Sequence, residues 1–169
     1  LYPEGKISEI QEKQLSTFTG NVRALKVKGT FDDCQKLVKT AFTDEELRKQ
    51  FRLSSANSIN IGRLVPQIVY YVSAYCDMLA RGEELKDGFN IVVPTGNFGN
   101  ILAAYYAKEM GLPIAKFICA SNDNKVLYDF FETGVYDRNR EFILTTSPSM
   151  DILISSNLER LIYRIAGDN

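Results

Sequence analysis

The sequence contains no histidine among its 169 residues. This absence excludes Ser-His-Asp triads, Cys-His pairs and histidine-bound metal ions within this chain, and we predict no metal site. Acid–base chemistry would then depend on lysine, carboxylate or tyrosine side chains, on a cofactor, or on residues outside this sequence.

Cysteine is also scarce. Cys34, Cys76 and Cys119 are odd in number and far apart, so they match neither a disulfide framework nor a zinc site. The first two fall in helical patterns and the third in an apolar strand, which predicts that all three are buried. Unpaired cysteines favour a reducing, cytoplasmic location.

Excess charge and long apolar runs are missing as well. The 20 basic and 21 acidic residues give a net charge of −1, so bulk charge predicts neither a nucleic-acid nor a membrane-surface partner. No apolar run approaches the roughly 20 residues that span a bilayer. The first residues lack a signal-peptide pattern, and they also lack an initiator Met, which leads us to expect a fragment.

What the sequence does contain is an alternation of strand and helix patterns. It predicts an α/β fold, a three-layer α/β/α arrangement with a mainly parallel sheet. The predicted strands cover residues 22–27, 89–93, 115–120 and a short stretch at 142–144. The predicted helices cover residues 8–18, 33–42, a short helix from 43, then 61–79, 101–110, 125–133 and 157–165. Pro66 is expected in the first turns of the 61–79 helix or at a kink in it. A cluster of small polar residues near residue 53 marks the expected domain boundary.

The run Pro94-Thr95-Gly96-Asn97-Phe98-Gly99-Asn100 connects a predicted buried strand to a helix. Backbone N–H groups in such a turn are free to bind a phosphate, and glycine allows close approach. No Gly-Lys-Ser/Thr follows, and the glycine spacing differs from the dinucleotide motif G-x-G-x-x-G, so a cofactor with a single phosphate fits best. A plain strand–helix connection remains the alternative.

Two further polar clusters accompany this run. Residues 54–60 lead into Arg63 and offer partners for a phosphate or carboxylate. The alternative is that Ser58 or Asn60 is an N-cap and Arg63 a solvated side chain. Residues 121–124 follow the next predicted strand, and helix and turn capping is the favoured interpretation there.

Taken in order, several segments resemble the bacterial and fungal-type threonine synthases, which are pyridoxal-phosphate (PLP) enzymes of fold type II, the tryptophan-synthase-β-like family. The segments that carry this resemblance are Leu1–Gly5 with Ser8–Gln11, Gly29–Gln35, Ser55–Arg63, Val93–Asn100, Gly111–Pro113 and Ser149–Ile152. The resemblance covers nearly the whole chain.

The resemblance implies a PLP-dependent carbon–oxygen lyase that converts O-phospho-L-homoserine and water into L-threonine and phosphate. It implies that the cofactor phosphate is bound by Gly96, Asn97, Phe98, Gly99 and Asn100. It also implies that the substrate phosphate lies near Asn57, Asn60 and Arg63, with Ser54 and Ser58 as further candidates.

The same resemblance implies that residues 1–50 finish a small domain and residues 51–169 begin a large one. It assigns the Schiff-base lysine to an upstream segment, so no catalytic residue is expected in this chain and the chain alone is expected to be inactive. Open sheet edges would then favour self-association. The alternatives are another fold type II lyase, related to threonine dehydratase or cysteine synthase, and a non-catalytic phosphate-binding chain.

Overall fold

The computed structural model describes residues 1–167 and has the predicted α/β character, with parallel strand pairs connected through helices. The strands are β1 (Tyr2–Pro3), β2 (Lys26–Val27), β3 (Phe89–Pro94) and β4 (Ile114–Ala120). The helices are α1 (Glu9–Ser16), α2 (Phe31–Thr43), α3 (Glu45–Gln50), α4 (Ile61–Leu64), α5 (Ile68–Ala80), α6 (Gly99–Glu109), α7 (Val126–Thr133) and α8 (Leu158–Ala166). The chain divides into two compact units, Leu1–Ser54 and a second that begins at Ser55.

The first unit is built on local capping signals. Ser8 and Gln11 form the predicted capping box at the start of α1. Thr30 and Asp33 form a second one at α2, with the Thr30 N–H donating to the Asp33 carboxylate at 2.7 Å. Each box satisfies two backbone donors that have no partner inside the helix. Strands β1 and β2 pair in parallel across this unit.

The second unit is centred on β3 and β4, which pair in parallel from Phe89 opposite Ile114 to Pro94 opposite Ala120. Helix α6 crosses between them and is the most deeply buried helix, because its alanines allow close approach to the strands. The core residues of this unit are Leu64, Ile91, Val93, Phe98, Ile101, Leu102, Ala103, Ala104, Ala107, Ile114, Val126, Leu127 and Leu158.

Several predicted element bounds were wrong. The strands were affected most, whereas the effect expected of Pro66 on the helix predicted over 61–79 is confirmed. A 3₁₀ turn that contains Pro66 interrupts this helix at residues 65–67, because proline lacks the N–H that continues an α-helix. The strand predicted over 22–27 is reduced to Lys26–Val27.

The strand predicted at 142–144 is absent from the part of the chain that the structure describes. The Asn124 side chain takes both backbone groups of Ile143: its Nδ2 donates to the Ile143 carbonyl at 2.7 Å, and its Oδ1 accepts from the Ile143 N–H at 3.0 Å. These are the groups that a strand would use for its ladder.

The prediction that all cysteines are buried was partly wrong. Cys34 is buried and Cys119 is half-buried, but Cys76 is exposed, and all three are free thiols. Cys76 lies on α5, which carries apolar residues around most of its circumference, so the sequence pattern does not identify its inward face. Within residues 1–167, none of the helices is both long and apolar enough to cross a membrane.

Candidate functional site

The run 95–98 connects the carboxyl end of β3 to the start of α6. The Thr95 N–H donates to the Ala120 carbonyl at 2.9 Å and extends the β3–β4 ladder by one residue. The buried Thr95 hydroxyl donates to the Val93 carbonyl at 3.0 Å. The chain therefore leaves the sheet at the edge where parallel α/β sheets bind ligands.

Five consecutive backbone N–H groups in this connection, those of Gly96, Asn97, Phe98, Gly99 and Asn100, donate to no other group among residues 1–167. No side chain caps α6 at Phe98. Unpaired donors at a helix start attract an anion through their partial positive charge and through the helix dipole. We call residues 96–100 the anion loop, because they offer five unpaired N–H donors in a row.

The side chain of Asn100 holds the connection closed. Its Nδ2 donates to the Pro94 carbonyl at 2.9 Å, and its Oδ1 accepts from the Ile101 N–H at 2.9 Å. The hydroxyl of Tyr71 on α5 donates to the Asn100 carbonyl at 2.8 Å. Asn100 thus contributes to the site through its N–H, because its side chain is occupied by the turn.

Phe98 is the one non-glycine residue with positive φ in the described chain, at φ 64° and ψ 0°. Left-handed backbone costs an L-residue about 1–2 kcal/mol. The Phe98 ring is only 4% exposed and packs against Phe131 with the ring centroids 6.1 Å apart. Burial of the ring offsets the strain, which is of the kind that clusters at functional sites.

The two glycines of the anion loop are required by packing rather than by φ. A Cβ added at Gly96 would lie 3.0 Å from Ile152 Cδ1 and 3.3 Å from the Met150 carbonyl oxygen. A Cβ added at Gly99 would lie 3.3 Å from both Asn157 Nδ2 and Ser58 Cβ. Segments 150–157 and 57–60 therefore both approach the anion loop closely.

The contact with segment 155–160 was missed by sequence reasoning. Asn157, whose exposed surface is 0%, donates to the Asn97 carbonyl through its backbone N–H at 3.1 Å and its Nδ2 at 3.0 Å. The Ser156 hydroxyl donates to Asn97 Oδ1 at 3.4 Å. Arg160 donates to Asn157 Oδ1 and to the carbonyls of Ser58 and Ile59, the latter two at 3.2 and 2.6 Å. The one sequence feature that could have indicated this contact is the polar pair Ser156-Asn157 at the start of a predicted helix.

Within segment 55–63 the two predicted asparagines hold local turns. Asn57 Oδ1 accepts from the Ile59 N–H at 3.2 Å. Asn60 caps α4, its Oδ1 accepting from the Gly62 N–H at 2.9 Å while its Nδ2 donates to the Ser55 carbonyl at 2.8 Å. The N-cap alternative for Asn60 is thereby confirmed, and both ends of its amide are engaged. Asn57 differs, because only its Oδ1 is engaged and its Nδ2 donates to no group among residues 1–167.

The other candidates of this segment differ in position. Ser58 lies beside the anion loop, as its Cβ distance to Gly99 indicates, and its hydroxyl donates to Asn57 Oδ1 at 3.3 Å. Arg63 is exposed and donates one N–H to the Ala56 carbonyl, which leaves further donors of its guanidinium group. Ser54 is exposed and belongs to the first unit. The structure brings Ser58 to the anion loop.

The cluster at 121–124 does not cap α7, whose N-cap is Lys125 without a side-chain hydrogen bond. Asn122 and Asn124 instead donate to the buried carboxylate of Asp151 at 2.8 and 3.0 Å, and Thr145 donates to it through its N–H at 2.9 Å and its hydroxyl at 2.7 Å. The predicted turn role does hold for Asn122, which accepts from the Asn124 N–H at 3.0 Å. This network fixes segment 145–151 in front of Gly96.

Two titratable groups flank the anion loop, and burial raises the pKa of each. Desolvation raises the pKa of the Tyr71 phenol. Desolvation also raises the pKa of the Cys119 thiol, against a smaller opposing effect of its hydrogen bond with Thr95. Both groups are therefore neutral near neutral pH, and the loop is a binding arrangement rather than an acid–base pair.

Comparison with known proteins matches this chain along almost its whole length. It is 47% identical over 167 residues to threonine synthase from Saccharomyces cerevisiae, which covers 98% of this chain and 32% of the yeast protein. It is 49% identical over 175 residues to threonine synthase-like 1 from Homo sapiens, which covers 98% of this chain and 24% of the human protein. No family model matches the chain.

Solved structures agree with these relatives. The fold superposes on threonine synthase from Escherichia coli with a TM-score of 0.85 and 41% identity, over 98% of this chain and 38% of that one. The chain is homologous to the threonine synthases. A second structure, PLP-bound threonine synthase from Brucella melitensis, has a TM-score of 0.77 and 47% identity over 99% of this chain and 35% of that one. The expected resemblance to threonine synthases and the expected α/β fold are confirmed, and the chain spans about a third of the length of the threonine synthases it matches.

Proposed function

We propose that the full-length protein is a PLP-dependent threonine synthase, which converts O-phospho-L-homoserine and water into L-threonine and phosphate. The observation that carries this proposal is the row of five unpaired N–H groups from Gly96 to Asn100 at the carboxyl end of β3. Homology to threonine synthases over 98% of the chain supports the same assignment.

The residues present fit the phosphate group of PLP. The donors are backbone N–H groups at the start of an 11-residue helix, where the helix dipole also favours negative charge. The anion loop contains no carboxylate that would repel an anion. Gly96 and Gly99 allow segments 150–157 and 57–60 to approach the loop closely. A dianionic phosphate of a single-phosphate cofactor matches this donor set.

PLP, when bound, supplies an electron sink for substrate carbanions. The described residues contribute binding rather than proton transfer. Thr95 and Asn100 fix the turn, and the N–H groups of 96–100 hold the cofactor phosphate. Tyr71, whose pKa is raised further by burial, orients the Asn100 peptide through the hydroxyl that it donates at 2.8 Å.

For the substrate phosphate we assign Arg63 as the principal donor, since its guanidinium group keeps free N–H groups. Ser54 and Ser58 stay predictions of the sequence analysis, since Ser54 belongs to the first unit and the Ser58 hydroxyl donates to Asn57 Oδ1. Asn60 serves the same site by shaping the turn that presents Arg63, because its amide is engaged within segment 55–62. Asn57 is a further donor, because its Nδ2 has no partner among residues 1–167 while its Oδ1 holds the turn.

Three further assignments belong to this proposal. Residues 1–50 complete a small domain and residues 51–169 begin the large, cofactor-binding one. The protein is cytoplasmic, in keeping with three free thiols. Its partner is a small-molecule substrate, and the lysine that carries PLP lies outside this sequence, so the chain alone does not turn over.

The proposal is tested with the full-length protein by following phosphate release and threonine formation from O-phospho-L-homoserine. Serine and threonine are offered in parallel, since turnover of either in place of O-phospho-L-homoserine indicates a dehydratase or cysteine-synthase relative. We expect threonine formation that requires added PLP in the apoprotein. A protein that binds PLP but acts on none of the three substrates overturns the synthase assignment.

A further inference from the structure

Asn157 forms two hydrogen bonds with one carbonyl in the anion loop. Its backbone N–H and its side-chain Nδ2 both donate to the Asn97 carbonyl oxygen, at 3.1 and 3.0 Å. A carbonyl oxygen has two lone pairs, so this oxygen is fully satisfied. Because Asn157 is completely buried, water does not compete for these bonds.

This pair of bonds fixes the direction of an N–H group on the opposite side of the anion loop. The Asn97 carbonyl and the Phe98 N–H belong to the same planar trans peptide and point in opposite directions. Holding the carbonyl toward Asn157 therefore points the Phe98 N–H away from Asn157, where it stays free to bind an anion. If the peptide rotated by half a turn, it would present the carbonyl oxygen, with its partial negative charge, to the bound anion.

The strain at Phe98 favours that unwanted rotation. Rotating the Asn97–Phe98 peptide would bring φ of Phe98 from +64° to a negative value, where an L-residue is relaxed. The orientation that binds an anion is thus intrinsically disfavoured, and something outside the anion loop must maintain it. The two Asn157 hydrogen bonds are the contacts that oppose the rotation.

Arg160 holds Asn157 in this orientation from one turn further along α8. Its Nη1 donates to Asn157 Oδ1, which fixes which end of the amide faces Asn97. The same guanidinium group donates to the carbonyls of Ser58 at 3.2 Å and Ile59 at 2.6 Å. One arginine therefore connects segment 57–60, the start of α8 and, through Asn157, the anion loop.

We propose that Asn157, oriented by Arg160, is a positioning residue that keeps the Asn97–Phe98 peptide in its anion-binding orientation and so sets the affinity for the cofactor phosphate. This inference rests on the proposed function, because the anion is the phosphate of PLP. Neither side chain contacts the cofactor in this role.

The test compares PLP with pyridoxal, which lacks the phosphate, as ligands of the full-length apoprotein. The ratio of the two affinities reports on the phosphate site alone, whereas general destabilisation weakens both ligands. For Asn157→Ala we expect an about tenfold loss of PLP affinity, the effect of one lost buried hydrogen bond, with pyridoxal affinity unchanged.

Arg160→Lys keeps the charge but loses the fork of donors, and we expect an about threefold loss in the same ratio. Arg164→Lys is the matched control on the same helix, since Arg164 is exposed and pairs with Glu109 at 3.4 Å, and it should leave the ratio unchanged. If Asn157→Ala does not accumulate as folded protein, Arg160→Lys tests the positioning role in its place.

The outcomes of these titrations separate this inference from the proposed function. If the wild type prefers PLP to pyridoxal and Asn157→Ala, or Arg160→Lys in its place, keeps that preference, the positioning role is wrong and the proposed function stands. If both affinities fall together in the variant, the role of Asn157 is structural only and the inference is likewise overturned. If the wild type itself does not prefer PLP, the assignment of the phosphate loop fails.

Discussion

Replacing Gly99 with alanine perturbs the anion loop by one methyl group. The added Cβ would lie 3.3 Å from Asn157 Nδ2 and 3.3 Å from Ser58 Cβ. These neighbours belong to different segments, and Asn157 is itself held against Asn97 at 3.0 Å. If Asn157 moves by a few tenths of an ångström to relieve the contact with the added Cβ, its hydrogen bond to the Asn97 carbonyl lengthens.

The expected stability change follows from two opposing effects. Overpacking a tight site costs about 1–3 kcal/mol. Alanine in place of glycine at the first position of α6 regains about 0.5–1 kcal/mol of chain entropy. We expect a net loss of about 1 kcal/mol in the free energy of unfolding, with an at least fivefold loss of PLP affinity, since the N–H donors move relative to the phosphate.

Gly134→Ala is the matched control. Gly134 ends α7 with φ +75°, and a Cβ there would meet nothing within 4 Å. Gly134→Ala should lower the free energy of unfolding by about 1–2 kcal/mol, because alanine is strained in the left-handed conformation. The substitution has no steric effect on the anion loop. The two variants should thus be destabilised to a similar extent and differ in cofactor binding.

The measurements are thermal unfolding and PLP titration of the full-length apoprotein for the wild type and both variants. The steric reasoning is refuted if Gly99→Ala binds PLP as tightly as Gly134→Ala does. It is also refuted if Gly99→Ala is more stable than the wild type by the full gain of about 0.5–1 kcal/mol expected for alanine, because the 3.3 Å contacts would then cost nothing.

Three further predictions concern other parts of the chain. Asn100→Ala should lower the free energy of unfolding by about 1–2 kcal/mol, since it leaves two backbone groups of the turn unpaired, and chemical denaturation of the full-length protein measures this; an unchanged midpoint would contradict it. Hydrogen bonding to Arg140 lowers the folded-state pKa of Asp129, so this ion pair stabilises the fold above the ordinary aspartate pKa and loses that effect as the pH falls through the lowered value. The stability difference between the wild type and Arg140→Ala should therefore be present at neutral pH and shrink in acid, and a difference that grows in acid would have the wrong sign. The isolated 169-residue chain should form no threonine. It should also self-associate, because β3 and β4 pair only with each other among the described residues and expose Val92 and Ile118. Analytical ultracentrifugation should then give a mass that rises with concentration, and a monomer at all concentrations would oppose this.

Local signals in the sequence were sufficient for much of the fold. The capping boxes Ser8–Gln11 and Thr30–Asp33 operate between residues three apart, so their geometry follows from spacing alone. The same holds for the anion loop, where a buried strand, a Gly-Asn turn and an alanine-rich helix succeed one another without a gap. Its resemblance to threonine synthases is likewise carried by short, contiguous motifs.

Tertiary structure alone decided how that loop is oriented. Asn157 lies 60 residues from Asn97 and Arg160 lies about a hundred from Ser58 and Ile59, so no periodicity or capping rule relates these residues. The same applies to Asn124, which takes the backbone groups of Ile143 and prevents a strand there. A sequence pattern states what each segment prefers by itself, whereas the partner of a polar side chain is settled only when packing brings distant segments together and buries it. The amino-acid sequence thus determined that a glycine-containing turn with unpaired N–H groups connects β3 to α6, and the fold determined which distant residues hold that turn.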